Sequence, residues 1–177
     1  MKVVAFGAST SKQSINKRFV TYTVNHLAFD EANVLDLNDF NIPIFSIDEE
    51  QENGIPEQVI KFYEYLESAD VVFISLAEHN GSYTAAFKNL FDWVSRHQLN
   101  MFEGTKLVLL STAPGARGGL GVMEAALDRF PRHGADIIAN FSLPKFHQNF
   151  SDESGIIDEA LNSAYQTFLS EVRSALG

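Results

Sequence analysis

The sequence predicts an α/β sandwich with three layers: five parallel strands in the middle and helices on both faces. Two observations carry this. Short apolar runs without polar alternation recur along the chain, as in Lys2–Gly7 and Ala69–Ala77. Such runs belong to strands covered on both sides. Each is followed by a longer segment with apolar residues three or four apart, and no repeat or low-complexity segment breaks the alternation. Right-handed crossovers between parallel strands then distribute the helices over both faces.

The elements follow in order. KVVAFG (2–7) is the first strand, and Ser14 to about Ala28 is a helix with Ile15, Phe19, Tyr22 and Leu27 on one face. ANVLDL (32–37) is the second strand. Residues 38–56 read as a long loop, punctuated by Pro43, Gly54 and Pro56. Pro56–Ser68 is a helix, and Ala69–Ala77 gives the strongest strand signal. Tyr83–Ser95 is helical, Lys106–Ser111 a strand, Leu120 to about Arg132 a helix, and Ala135–Ser142 the fifth strand. Asp152 or Ser154 caps a last helix running to about Leu176. Residues 1–177 thus form one domain of the flavodoxin-like, doubly wound type, with strand order 2-1-3-4-5. Ligands of such sheets bind beyond the carboxyl ends of the strands, so the loops after strands one, three and four line one site.

Charge and composition narrow the function. The chain carries 23 acidic and 13 basic side chains, a net charge of −10. That disfavours nucleic acid, which is held by basic clusters that displace counterions, and it disfavours anionic membranes. The chain has no cysteine, which excludes disulfides, thiolate metal sites and cysteine nucleophiles. The apolar start of the chain is too short for a signal peptide, and the longest apolar run is too short for a bilayer. The expectation is a cytoplasmic protein. The five histidines have no metal-site spacing, and no nucleophile elbow is present.

The first loop, GASTSKQSIN (7–16), concentrates hydroxyls at Ser9, Thr10, Ser11 and Ser14, an amide at Asn16 and a cation at Lys12. A helix start offers free N–H groups and a positive dipole end, which suits a phosphate. An ordinary helix cap at Ser14 is the plainer alternative. The loop is neither a Walker nor a Rossmann glycine loop. In the third loop the strand ends on Ala77; Glu78, His79, Asn80, Gly81 and Ser82 form the turn, and Asn80-Gly81 permits positive φ and close approach of a flat ligand. The fourth loop, STAPGARGGLG (111–121), holds four glycines. Gly115, Gly118 and Gly119 leave bare backbone there, and Arg117 can reach a phosphate or a carboxylate.

Together these loops resemble the NADPH-dependent FMN reductase family, which includes flavin, quinone, azo-dye and chromate reductases. The family's first loop reads GSxRxxSxN. Here Ser14 and Asn16 match its end, and Ser11 stands in place of the arginine. Its third loop reads PEYNGSxPxxLKNxIDW, matched at Glu78, Asn80, Gly81, Ser82, Lys88, Asn89, Asp92 and Trp93; Ala77 and His79 replace the proline and tyrosine. Its fourth reads SxSPGxxGG, matched at Ser111, Pro114, Gly115, Gly118 and Gly119. The run Ile42-Pro43-Ile44-Phe45 resembles the family's loop after the second strand.

The resemblance implies non-covalent FMN and NAD(P)H as co-substrate. Hydride passes to the flavin, and electrons then go to a small acceptor. Ser9, Ser11, Ser14, Asn16 and the Ile15 N–H hold the phosphate, with Lys12 or Lys17 replacing the arginine. The ring lies between Ala77–Gly81 and a wall formed by Ser111, Pro114, Gly115, Arg117, Gly118 and Gly119. N–H groups near Gly118 and Gly119 stabilise the reduced ring. No protein acid or base is required, because the flavin carries the chemistry, and no metal is implied. The resemblance also implies a homodimer or homotetramer, for which Phe87, Phe91 and Trp93 suit an interface or equally a core. Two other readings compete: a flavodoxin-type electron carrier without NAD(P)H activity, against which the missing [ST]-x-T-G-x-T loop argues, and a relative that no longer binds flavin.

Overall fold

The computed structural model describes residues 1–177. Its central sheet runs β2 (Ala32–Leu35), β1 (Val3–Gly7), β3 (Val71–Leu76), β6 (Lys106–Thr112) and β7 (Asp136–Leu143), all parallel. This is the expected 2-1-3-4-5 order. The numbering skips because Glu78–His79 (β4) and Ser82–Tyr83 (β5) form a separate hairpin, as do Phe150–Ser151 (β8) and Gly155–Ile156 (β9).

The period-2 geometry of strands sends alternate residues to opposite cores. Val3, Ala5, Val71, Phe73, Val108 and Leu110 face α1 (Ile15–Leu27) and α7 (Glu159–Leu176), meeting Phe19, Val20, Tyr165, Phe168 and Leu169. Val4, Phe6, Val72, Ile74, Leu107 and Leu109 face α3 (Glu57–Glu67), α4 (Ala85–His97) and α5 (Leu120–Arg129). Tyr165 donates to Thr23 Oγ1 at 2.9 Å, so its phenol stays satisfied in the core, and burial raises its pKa. No helix is long and apolar enough to cross a membrane.

Four details differ from the sequence reading. Residues 38–56 are not simply a loop. The second strand stops at Leu35, a 3-10 turn at Leu37–Asp39 leads into this segment, and α2 (Ile47–Asn53) lies within it. That helix buries no residue, so it leaves no apolar stripe to read. Its start is set by Ser46, whose Oγ accepts from Glu49 N at 3.0 Å, and by Asp48, Glu49 and Glu50 at the positive dipole end. The helix expected from Tyr83 begins at Ala85 after the β4–β5 hairpin, with Thr84 as cap. The helix expected to reach Arg132 ends at Arg129, and a 3-10 turn with Pro131 follows. The last helix is capped by Asp158, which accepts from Leu161 N at 2.9 Å, and a short α6 (Phe146–Asn149) and the β8–β9 hairpin come first. Asp152 instead pairs with Arg18.

Phe87, Phe91 and Trp93 are buried within the single chain, so they are core and offer no face to another copy. The motif residues around them fix the loop after β2. Asn89 Nδ2 and Trp93 Nε1 both donate to Pro43 O at 2.9 Å. Asn89 Oδ1 accepts from Phe45 N at 2.8 Å, and Phe45 meets Trp93 edge-on. Asn89→Ala removes two of these bonds at once. It should cost about 1–2 kcal/mol, read as a lower urea midpoint at unchanged m-value, with faster proteolysis between residues 42 and 54.

Candidate functional site

The site forms where β1, β3 and β6 end. Gly7, the last residue of β1, lies so close to the first turn of α1 that a Cβ would stand 2.5 Å from Lys17 N. This approach delivers loop one directly onto the helix start. There the hydroxyls take up a repeating pattern. Ser9 Oγ accepts from Ser11 N at 3.1 Å, Ser11 Oγ from Gln13 N at 3.3 Å, and Ser14 Oγ from Lys17 N at 3.1 Å. Each oxygen is used as an acceptor, so each hydroxyl proton remains free to donate. The N–H groups of Ile15 and Asn16 have no partner in the chain. This donor-rich turn at the positive end of a 13-residue helix fits a phosphate.

The turn opens on a cleft of about 340 Å³. Ser9, Ser11 and Gln13–Asn16 form its floor, Ala77–His79 one wall, and Thr112–Pro114 with His147 the other. A further hollow of about 340 Å³ shares Ser9, Ser11 and His79 and runs toward Ala86. Thr112 and His147 were not singled out from the sequence. His147 follows the fifth strand, outside the three motif loops, and only the topology brings it to this edge.

Several expected contacts turn out to be scaffolding. Asn16 is buried; its Oδ1 accepts from Ser75 Oγ at 2.8 Å and Thr112 N at 3.1 Å, and its Nδ2 donates to Thr112 O at 3.1 Å. One Nδ2 hydrogen and the backbone N–H are left for a ligand. Ser111 is fully buried and presents no surface to the cleft. It donates to Gly118 O at 2.9 Å and shares a 2.7 Å bond with Ser142 Oγ. Gly118 and Gly119 do not clear room for a ligand. A Cβ on Gly118 would meet Pro144 N at 2.8 Å, and one on Gly119 would meet Ser111 Cβ at 3.1 Å. Both sit at positive φ and face the interior, while Gly118 N donates to Gly115 O at 3.3 Å. The exposed backbone of this loop is Pro114–Arg117.

Glu78 is similar. Its Oε1 accepts from Val122 N at 3.2 Å. α5 has Gly119 at its cap position and no capping side chain of its own, so Glu78 caps it from across the site. Gly121 leaves the space, since a Cβ there would overlap the Glu78 carboxylate oxygen. Asn80 and Gly81 adopt φ of 52° and 78° and close the β4–β5 hairpin, as a two-residue turn with left-handed positions requires. They lie exposed at its tip and leave His79 as the hairpin residue shared by both hollows. Tyr83 anchors the hairpin, stacked on Phe130 with centroids 6.1 Å apart. Its hydroxyl is buried without a partner, and burial pushes its pKa up to about 12.

Neither lysine simply replaces the missing arginine. Lys17 Nζ is committed to Asp36 Oδ2 at 2.6 Å. Lys12 is exposed and pairs with no carboxylate.

The sequence pattern of the NADPH-dependent FMN reductases matches residues 1–148. The chain belongs to this family. Its members use FMN with NAD(P)H as electron donor. A quinone reductase of Escherichia coli K12 is 33% identical over 79 residues, 45% of this chain and 42% of that protein. The matched stretch therefore spans less than half of that relative. Among solved structures, the flavoenzyme NAD(P)H:acceptor oxidoreductase FerB from Paracoccus denitrificans superposes with a TM-score of 0.71 at 22% identity, covering 98% of this chain and 97% of the other. An NAD(P)H:quinone oxidoreductase from Methanothermobacter marburgensis gives 0.61 at 20% identity, covering 99% and 94%. At these identities the structures show a shared fold.

Two predictions separate scaffold from ligand contact. Ser14→Ala should cost about 1 kcal/mol, the worth of a helix cap. Asn16→Ala leaves Ser75 and Thr112 N without their buried acceptor and should cost about 2–3 kcal/mol; urea unfolding ranks the two. Asp36 is held below its ordinary carboxylate value by its bonds from Lys17 and Asn38. A lowered folded pKa contributes stability that is present above the unfolded value of 3.8 and is lost as pH falls below it. Asp36→Asn should therefore flatten the fall in stability between about pH 5 and pH 2, followed as urea midpoint against pH.

Proposed function

We propose that the chain is an FMN-dependent NAD(P)H oxidoreductase that passes electrons to a small acceptor such as a quinone, a free flavin, an azo compound or a metal oxyanion. One observation carries the reading. Three hydroxyls with free protons and two free helix N–H groups converge on a turn that opens into a cleft between loops three and four. Ser9, Ser11, Ser14, Ile15 and Asn16 take the FMN phosphate. Ala77, His79, Pro114 and Gly115 flank its ring, and the backbone of Glu78 completes one edge. FMN supplies the redox chemistry when bound, and the chain's own part is to bind and orient it. The shallow outer side, bounded by exposed His79 and His147, admits acceptors of different shape.

A cytoplasmic location suits this donor, and the family resemblance supports a homodimer or homotetramer. With Phe87, Phe91 and Trp93 committed to the core, exposed apolar side chains such as Ile44, Ile47 and Leu120 are the ones free for such contact.

The test is an absorbance spectrum of the flavin-loaded protein under nitrogen before and after NADPH. Bleaching of the flavin band supports the reading. A flavin band that persists with both NADPH and NADH indicates an electron carrier, and failure to take up added FMN removes the cofactor altogether. In the same assay, Ser11→Ala should weaken FMN about tenfold, the usual worth of one hydrogen bond to a charged group, with unchanged urea stability.

A further inference from the structure

The cations of this chain are unevenly spent. Of its 13 lysines and arginines, Lys17, Arg18, Lys88, Arg96 and Arg132 hold carboxylates. Lys106 and Arg173 hold main-chain carbonyls. Six remain without a partner. Lys2 precedes β1 at the amino edge of the sheet, Lys61 lies on α3, and Arg129 ends α5. The other three, Lys12, Arg117 and Lys145, stand at the carboxyl edge. Lys12 belongs to loop one. Arg117 and Lys145 are exposed on the two segments that also carry the cleft-lining Pro114 and His147.

Lys145 is the unusual one. It sits at φ 48°, ψ 54°, a left-handed conformation that glycine or asparagine adopts more cheaply. It occupies the cap position of α6, where Ser, Thr, Asp or Asn is favoured, and it makes no capping bond. Local structure explains none of these choices, and a residue that breaks local rules without a folding gain marks a functional position. Its backbone is firmly placed. Lys145 N donates to Gly115 O at 3.0 Å, and Lys145 O accepts from Gln148 N at 2.8 Å and Asn149 N at 3.1 Å. Gly118 packs on Pro144 without room for a Cβ. The segment bearing Arg117 and the segment bearing Lys145 are therefore one rigid unit.

We propose that Arg117 and Lys145 are the specificity-determining residues that receive the phosphates of NAD(P)H. This rests on the oxidoreductase reading above. The donor carries at least two negative charges and must approach a protein of net charge −10. Two unpaired, exposed cations on the joined segments that flank the cleft-lining Pro114 and His147 give it a local attractive field. Arg117 thereby serves the co-substrate and not the flavin.

The experiment compares flavin-loaded wild type with Arg117→Ala, Lys145→Gly and the double variant, at low and high salt, with an uncharged quinone as acceptor. Glycine at 145 keeps the left-handed backbone, so folding is preserved. The expected result is a KM for NADPH raised about tenfold in the double variant, kcat and FMN affinity unchanged, and a weaker salt dependence of KM than in wild type. An unchanged KM in variants of a protein that NADPH does bleach overturns this inference alone. A loss of FMN affinity equal to the rise in KM also overturns it, by placing the pair at the flavin. A wild type that holds flavin but never bleaches overturns the oxidoreductase reading and this one with it.

Discussion

Asn16 holds the site together. It sits in the first turn of α1 and bonds to Ser75 near the end of β3 and to both main-chain groups of Thr112 at the end of β6. Two of the three strands that meet at the ligand edge are thereby fixed relative to loop one by one side chain. Those groups lie in a dry interior, where an unmet partner is costly and a met one is rigidifying. The free N–H groups of Ile15 and Asn16 are aimed by this lock, so the binding geometry exists before any ligand arrives. Preorganised donors of this kind need no rearrangement on binding.

The same logic runs through the motif residues. Asn89 and Trp93 restrain Pro43 and Phe45. Glu78 caps α5 across the site. Ser111 holds Gly118, and Gly118 fits against Pro144. These are the positions that make the chain recognisable, and few of them touch the cleft. What they share is the work of placing backbone at the carboxyl ends of the strands. A recognisable motif in this fold is therefore largely a description of how its loops are braced, and the surfaces that meet ligands lie between the braces.

This explains what was legible in the sequence. The sheet order and each buried helix were, because an interior covered on both faces demands unbroken apolar strands and a spaced apolar stripe on every helix. The exposed α2 was not, because its only signals are a serine cap and an acidic first turn. The hairpin at Glu78–Tyr83 was visible as Asn80-Gly81 but was absorbed into the following helix. Within the site, residue type alone did not separate Ser11, exposed on the cleft, from Ser111, sealed beneath it. Ser111 is still within β6, whose register turns it inward, while Ser11 lies in the loop after β1. His147 carried no local signal, since its role depends on the fifth strand ending beside the fourth.

Electrostatics supplies the remaining constraint. An acidic surface keeps such a protein soluble but repels the anionic molecules it must bind. The chain meets this conflict in part by segregation: five cations are neutralised in pairs with carboxylates, while Lys12, Arg117 and Lys145 at the carboxyl edge stay unspent. Loop one needs little of that charge, because its hydroxyl protons and free helix N–H groups already offer donors there. The opposite rim has no exposed helix start of comparable length and no hydroxyl series. Any anion arriving there must be met by full charges, and Arg117 and Lys145 are the side chains in place to supply them.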